Sequence, residues 1–373
     1  MKKYILSKDN VINFIFFFAY ALVCFNFMSS SVLFIKNYHN VIIYISLFML
    51  ISVFALQSDS YQKKSLLYIF IASLLGFISY AFSGDNTFIL IVLLVACSKK
   101  IDFNKIVKFD LIIKILFVFL ILILYKLGGT EYITRYRDDG TLRLAMGFGH
   151  PNVFAAYLFF ICLDISYLNY KKMNLFWYLI IIICLYVSHF VCNSRSAEIS
   201  LSLLLFFSFF HNFTEKKLFS KKIIRFMPFL IFAISLIFTK LYLDNNSFMI
   251  YFDKLLNKRF FYSAMVSKYV GFSWFGANFS NIVKFGLDNA YLNTYYQYGV
   301  FSAFFLLYCI FKVICYSQNN KDYKAIMCIF IYLIYAFIEK YSFHIEYNVF
   351  LFSISCLIFL KLNNNNERIE KDD

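Results

Sequence analysis

Charge is scarce in this sequence: Asp, Glu, Lys and Arg make up 15% of its 373 residues, whereas 61% are hydrophobic and 22% aromatic. So little polar surface could not cover the apolar remainder in water, which excludes a soluble enzyme and makes lipid the solvent. Proline is limited to two residues, and no polar stretch is long enough to form a soluble domain. The nine cysteines lie within or at the ends of apolar runs and form neither a CxxC pair nor a His/Cys ligand spacing. That pattern excludes structural disulfides and a zinc site. No internal repeat is present. Met1-Lys2-Lys3 precedes a long apolar run without a small-residue cleavage site, so an uncleaved first helix is expected.

What the chain does have is a succession of apolar runs, near 11–35, 41–56, 65–82, 87–98, 109–126, 151–169, 174–192, 197–212, 224–242, 289–312, 325–339 and 347–361. A bilayer core of about 30 Å takes roughly 20 residues of helix. The pattern predicts an all-α, polytopic integral membrane protein with about twelve transmembrane helices. The runs at 87–98 and 325–361 are short, so one pair could form a re-entrant hairpin. One transmembrane domain over 1–362 and a short polar cytoplasmic tail over 363–373 account for the whole length.

The formal charge of +15 reflects lysines in the links between runs, so no nucleic-acid partner is expected. With the N-terminus inside, Lys63, Lys64, Lys99, Lys100, Lys105, Lys108, Lys171 and Lys172 all fall in cytoplasmic links. Lys216, Lys217, Lys221, Lys222, Arg225, Lys321 and Lys324 fall there too, whereas the short outer links hold Lys36, Arg195 and Lys340. Both termini are then cytoplasmic, and the long links at about 127–150 and 243–288 face outward. Lys114 is expected to snorkel to the inner surface.

Ionisable residues gathered at one membrane face are functional candidates. The first long link contains Arg135-Tyr136-Arg137-Asp138-Asp139-Gly140-Thr141-Leu142-Arg143, then Gly147-Phe148-Gly149-His150-Pro151-Asn152, and opens a helix. Pro151 suits the first helical turn and His150 the cap. This helix runs inward, so its free N–H groups face outside and can hold an anion, with Arg143 just upstream. The helices opening at Asn193-Ser194-Arg195-Ser196-Ala197-Glu198 and at Asp288-Asn289-Ala290-Tyr291 share its direction. Plain capping also fits Asn193, Ser194, Asp288 and Asn289, and Arg195 could pair with Glu198 one turn on. For Asp288, capping and catalysis both remain open.

A helix from about Ile250 to Val270, wound at 100° per residue, puts Lys254, Asn257, Lys258 and Lys268 on one polar face. Arg259 falls on the opposite face among Phe252, Leu255, Leu256, Val266 and Val270. Its charge needs an anion inside the protein: a carboxylate such as Asp288 or Glu346, or a ligand phosphate.

Arg143 before Gly147–Asn152, then Ser194-Arg195, then Lys258-Arg259 leading through Trp274-Phe275-Gly276 to Asp288–Leu292 and Tyr298-Gly299-Val300, form an ordered set. Over about 130–305 this set resembles the Wzy-type polymerases of bacterial capsule and O-antigen repeat units, within the O-antigen ligase and polymerase group. Gly276-Ala277-Asn278 departs from it where the family often has a second glycine. The resemblance implies a multi-pass protein of the bacterial cytoplasmic membrane. It would transfer a glycan from one undecaprenyl-pyrophosphate carrier onto another carrier-linked repeat unit, beside a chain-length regulator and a flippase. Neither cofactor nor metal is expected. Arg143, Arg195 and Arg259 would stabilise the pyrophosphate leaving group, Arg135, Arg137, Asn152, Asn289 and Tyr291 would bind substrate, and His150 or Asp288 would take the acceptor's proton. The competing readings are a ligase that uses another acceptor and a lipid-linked oligosaccharide flippase.

Overall fold

The computed structural model describes residues 8–29, 32, 37–136, 140–279, 283 and 286–359. Arg137, Asp138, Asp139, Lys36 and the 363–373 tail lie outside the described residues. The chain is all-helical and membrane-embedded. In order the helices are α1 (Lys8–Met28), α2 (His39–Leu56), α3 (Lys63–Ser83), α4 (Thr87–Cys97) and α5 (Phe103–Lys126). A small antiparallel hairpin, β1 (Thr134–Tyr136) and β2 (Leu142–Leu144), follows. Then come α6 (Pro151–Leu168), α7 (Leu175–Phe190), α8 (Arg195–Phe209), α9 (His211–Thr214), α10 (Met227–Leu243), α11 (Ser247–Leu255) and α12 (Arg259–Val270). The last are α13 (Ala290–Asn293), α14 (Gly299–Asn319), α15 (Tyr323–Ala336) and α16 (Ser355–Phe359).

Among the described residues, six helical stretches are long and apolar enough to cross a membrane: α1, α2, α3, α6, Lys222–Leu243 and Ala290–Asn319. A seventh forms if Arg195–Phe209 and His211–Phe219, bent by 86° at their break, count as one span. Four further apolar helices are shorter, Thr87–Cys97, Leu175–Phe190, Tyr323–Ala336 and Val349–Ile358. At 1.5 Å per residue the 11 residues of α4 reach only about 16 Å, half the bilayer core. Helix α5 has 24 residues but carries Lys105, Lys108, Asp110, Lys114 and Lys126.

Burial ranks these helices. In α6, 89% of the span is buried inside the protein, against 22% in α2 and 28% in α3. Helix α6 is therefore the axis of the bundle, and α2 and α3 turn apolar faces outward. Residues Phe148, Phe154 and Tyr157 stack along the start of α6 and fix its entry into the core.

Two expectations fail here. The single helix over 250–270 is two. After α11 the chain takes left-handed φ at Asn257 and Lys258, and the Asp253 carboxylate accepts from the amides of Phe260 and Phe261 at 2.7 and 3.0 Å. A carboxylate on one helix thus caps the next, and the polar face inferred across the joint does not exist. Nor does Lys114 snorkel. Its side chain leans toward the N-terminus of α5, where Asp110 is one turn away, and α6 brings Asp164 to the same spot. The ammonium sits 2.5 Å from Asp110 and 3.1 Å from Asp164, with all three side chains at most 1% exposed. An ion held by two carboxylates in a sealed interior has no reason to reach for water.

Candidate functional site

The links 127–150 and 243–288 meet at one end of the bundle. The hairpin is docked there by the backbone bond from Leu144 to Val191, while the bond from Ala145 to Ile133 extends its own ladder. Gly147, at φ 88, lets the chain turn into α6, because a Cβ at that residue would lie 2.9 Å from Tyr125 Cβ. At the other side of this end, Gly276 faces Gly299 so closely that a Cβ on Gly276 would stand 2.1 Å from the Gln297 carbonyl oxygen. The Trp274-Phe275-Gly276 and Tyr298-Gly299-Val300 segments are therefore a backbone-to-backbone joint, tied by bonds from Ala277 to Tyr296 and from Val300 to Ser273.

Between these anchors lies a polar cluster. Arg143 on β2 donates from Nε to the Cys192 carbonyl at 3.0 Å and from Nη2 to the Asn152 side-chain oxygen. Asn152 passes the link on, donating to Glu339 Oε1 at 3.0 Å. The same oxygen accepts from Ser196 at 2.8 Å and from Arg259 Nη2 at 2.7 Å. Arg259 also bonds the Ile338 carbonyl and lies 3.2 Å from Asp288. Glu339 therefore collects three segments that are 80, 143 and 187 residues away in sequence. Burial opposes the Arg259 charge, but Glu339 and Asp288 outweigh it and hold the guanidinium pKa above its ordinary value. Burial, with Asp288 nearby, raises the Glu339 carboxyl despite the pull of Arg259.

This cluster opens on a pocket of about 80 Å³ whose walls include Arg143, Asn152, Arg195, Ser196, Arg259 and Ile338. Arg195 is exposed and donates to the Leu255 carbonyl at 3.2 Å, so the joint between α11 and α12 closes one side. It does not pair with Glu198, which instead meets His189 at 3.0 Å. Arg135 stands directly opposite Arg143 in the hairpin register. Like charges placed so cost stability, and an anion between them would remove that cost. Three guanidinium groups against two carboxylates leave this corner positive. A larger groove, about 370 Å³, opens between α3, α4 and α14, but its lining is nearly all apolar and holds none of these residues.

His150 caps α6, its Nδ1 accepting from the Asn152 amide at 3.1 Å. Burial, then the charges of Arg143 and Arg135, lower its pKa to about 4. The neutral ring must carry its proton on Nε2, because Nδ1 is occupied as an acceptor. Asp288 is the more accessible group, its side chain 47% exposed.

Scans of protein-family models, curated proteins and solved structures find no match.

Not every candidate reaches the pocket. Asn289 is buried as the cap of α13, accepting from Leu292 and donating to Ser235 and to the Phe337 carbonyl at 3.0, 3.0 and 2.9 Å. Tyr291 is buried too and donates to the Leu333 carbonyl at 3.1 Å. Glu346 does not partner Arg259 but lies 3.0 Å from His344. Glu339 and Ser196 were not singled out in the sequence. The one signal for Glu339 was an acidic residue at the end of the apolar run 325–339, a costly place for an unpaired charge. Among the described residues, no group of three or more His, Cys, Asp and Glu side chains could hold a metal ion.

Proposed function

We propose that this chain polymerises lipid-linked glycan repeat units at the outer face of a bacterial cytoplasmic membrane, as its resemblance to Wzy-type polymerases implies. One observation carries the reading: Arg143, Arg195 and Arg259, far apart in sequence, line one pocket. A pyrophosphate leaving group gains negative charge as the anomeric C–O bond breaks, and guanidinium forks fixed in advance are suited to it. The acceptor hydroxyl attacks the anomeric carbon, the bond to the pyrophosphate oxygen breaks, and the hydroxyl proton passes to Asp288. His150 is the poorer base because its free lone pair already holds the α6 cap. Its Nε2–H is left to donate to a phosphate oxygen. Glu339 positions Arg259, Asn152 and Ser196 without touching substrate.

In this reading the N-terminus is inside, the shorter apolar helices complete a set of about twelve membrane passes, and both long links face outward. Cysteines at Asn257 and Lys217, both exposed, test the orientation. An impermeant thiol reagent in whole cells should label the first and spare the second. The flippase alternative gains the buried Asp110, Lys114 and Asp164, since transporters place charges within the membrane. Those side chains are sealed, however, and offer a glycan no surface. Deleting the protein separates the readings. Single lipid-linked repeat units on the outer face support a polymerase, intact unattached polymer indicates a ligase, and units trapped inside indicate a flippase.

A further inference from the structure

The cluster within the bundle has one cation and two acids. Lys114 is bracketed by Asp110 and Asp164, so both carboxyls converge on one ammonium. Asp110 Oδ1 accepts from the Tyr20 hydroxyl at 2.8 Å. Asp164 Oδ1 is buried with no hydrogen-bond partner. Two ionised carboxylates against one ammonium would leave a net negative charge in a buried interior, and an anionic oxygen without a donor among the described residues. Neither is tolerable at such depth.

We propose that Asp110 and Asp164 together bind one proton, so that the cluster is a neutral proton site built into the helical bundle. The shared proton then removes the one negative charge that the ammonium leaves unbalanced. Asp164 Oδ1 becomes a carbonyl oxygen, for which a missing partner costs little, and Lys114 stays charged against the remaining carboxylate. As with any coupled pair, the proton belongs to both acids rather than to one residue. Among the described residues no second cation pairs with either carboxyl: Lys324, which with Asp322 acts on Cys328, donates to Asn104 at 3.1 Å. Helix α1 contributes Tyr20 and Cys24, α15 contributes Cys328, the 345–347 segment contributes Glu346 and the Ile345 carbonyl, and α6 adds the Phe160 ring, 5.5 Å from the ammonium. Glu346, itself acidic, makes an uncompensated negative charge at the cluster still less favourable. The inference does not depend on the polymerase reading.

Infrared spectra of the purified full-length protein, with isotope-labelled aspartate to separate these acids from Glu339 and Glu346, test it. The native protein at neutral pH should show the C=O stretch of a protonated aspartic acid. Either Asp164→Asn or Asp110→Asn alone should remove that band, because each leaves one carboxylate opposite one ammonium. The surface control Asp244→Asn should keep it. Lys114→Met should strengthen it, as the second carboxylate takes up a proton in place of the lost cation. A native spectrum without the band, or a band that survives either Asn substitution, overturns the proposal. If one Asn variant does not fold, the other decides.

Discussion

The molecule answers the same charge problem twice with opposite results. In the loop-rich cluster Arg259 faces Asp288 and Glu339; in the interior Lys114 faces Asp110 and Asp164. Each is one cation against two acids. Around Arg259 the imbalance is corrected by Arg143 and Arg195 and the space is open, so the surplus is positive and available to an anion. Around Lys114 the described residues offer no such reinforcement and the side chains are buried, so a proton is the ligand proposed for that site. The residue types fit: guanidinium offers a planar fork to phosphate, whereas the compact ammonium of lysine sits between two acids as a point charge. Exposure, more than charge, separates a cluster open to a ligand from one enclosed within the bundle.

Substitutions should break this contrast in a graded way. Lys114→Ala should cost the most stability, about 3–5 kcal/mol by thermal or chemical unfolding in detergent, because it strands carboxyls that water cannot reach. Arg259→Ala should lie near or below the low end of that range, since Asp288 can hydrate, yet it should abolish polymer formation at matched protein levels. Glu339→Gln keeps an acceptor for Asn152 and Ser196 and loses only the charge. It should cost about 1–3 kcal/mol and shorten the polymer as Arg259 turns toward Asp288 alone.

Acid should act next, through His150. Its folded pKa, about 4, lies below its unfolded value, so the native state binds fewer protons between the two. Stability should therefore decline as pH falls from about 6.5 toward 4. His150→Asn, which keeps a good cap, should flatten that part of the profile. A slope that survives this substitution would assign it to another group. The smallest structural effect belongs to Arg195→Ala, within about 0.5 kcal/mol because the side chain is exposed. It should nonetheless weaken inorganic pyrophosphate binding, whereas Lys254→Ala, also exposed but outside the pocket walls, should leave it unchanged. Chelation by EDTA should leave product formation from a lipid-linked repeat unit intact.

Local chemistry was legible in the sequence. Apolar runs became helices, Pro151 opened α6 behind the His150 cap, and Asn289 capped α13. Arg259 does meet an internal carboxylate named from the sequence, Asp288, but the winding that put it among Phe252, Leu255 and Val266 ran across a joint where the helix breaks. What periodicity could not see was the joint at Asn257 and Lys258, since no proline or glycine marks it and the break is stabilised by Asp253 from the preceding helix. Glu339 was hidden for another reason. Its three partners lie on other segments, and no spacing rule spans 187 residues. Lys114 was misread because snorkelling is the default for a lone lysine near a helix end, and the acid that changes its fate, Asp164, sits on the next helix.

The interior cluster also bears on how the chain is made. Asp110 and Lys114 are one turn apart on α5, so this helix can enter lipid with its two opposite charges already paired. Asp164 is synthesised 50 residues after Lys114, on a helix with no cation of its own. An ionised aspartate costs about 2.5–3.5 kcal/mol at a helix centre on insertion scales, and less one turn from the helix end, where Asp164 sits. Helix α6 therefore inserts most readily with Asp164 already protonated, and the proton proposed for the finished bundle would be one acquired at birth.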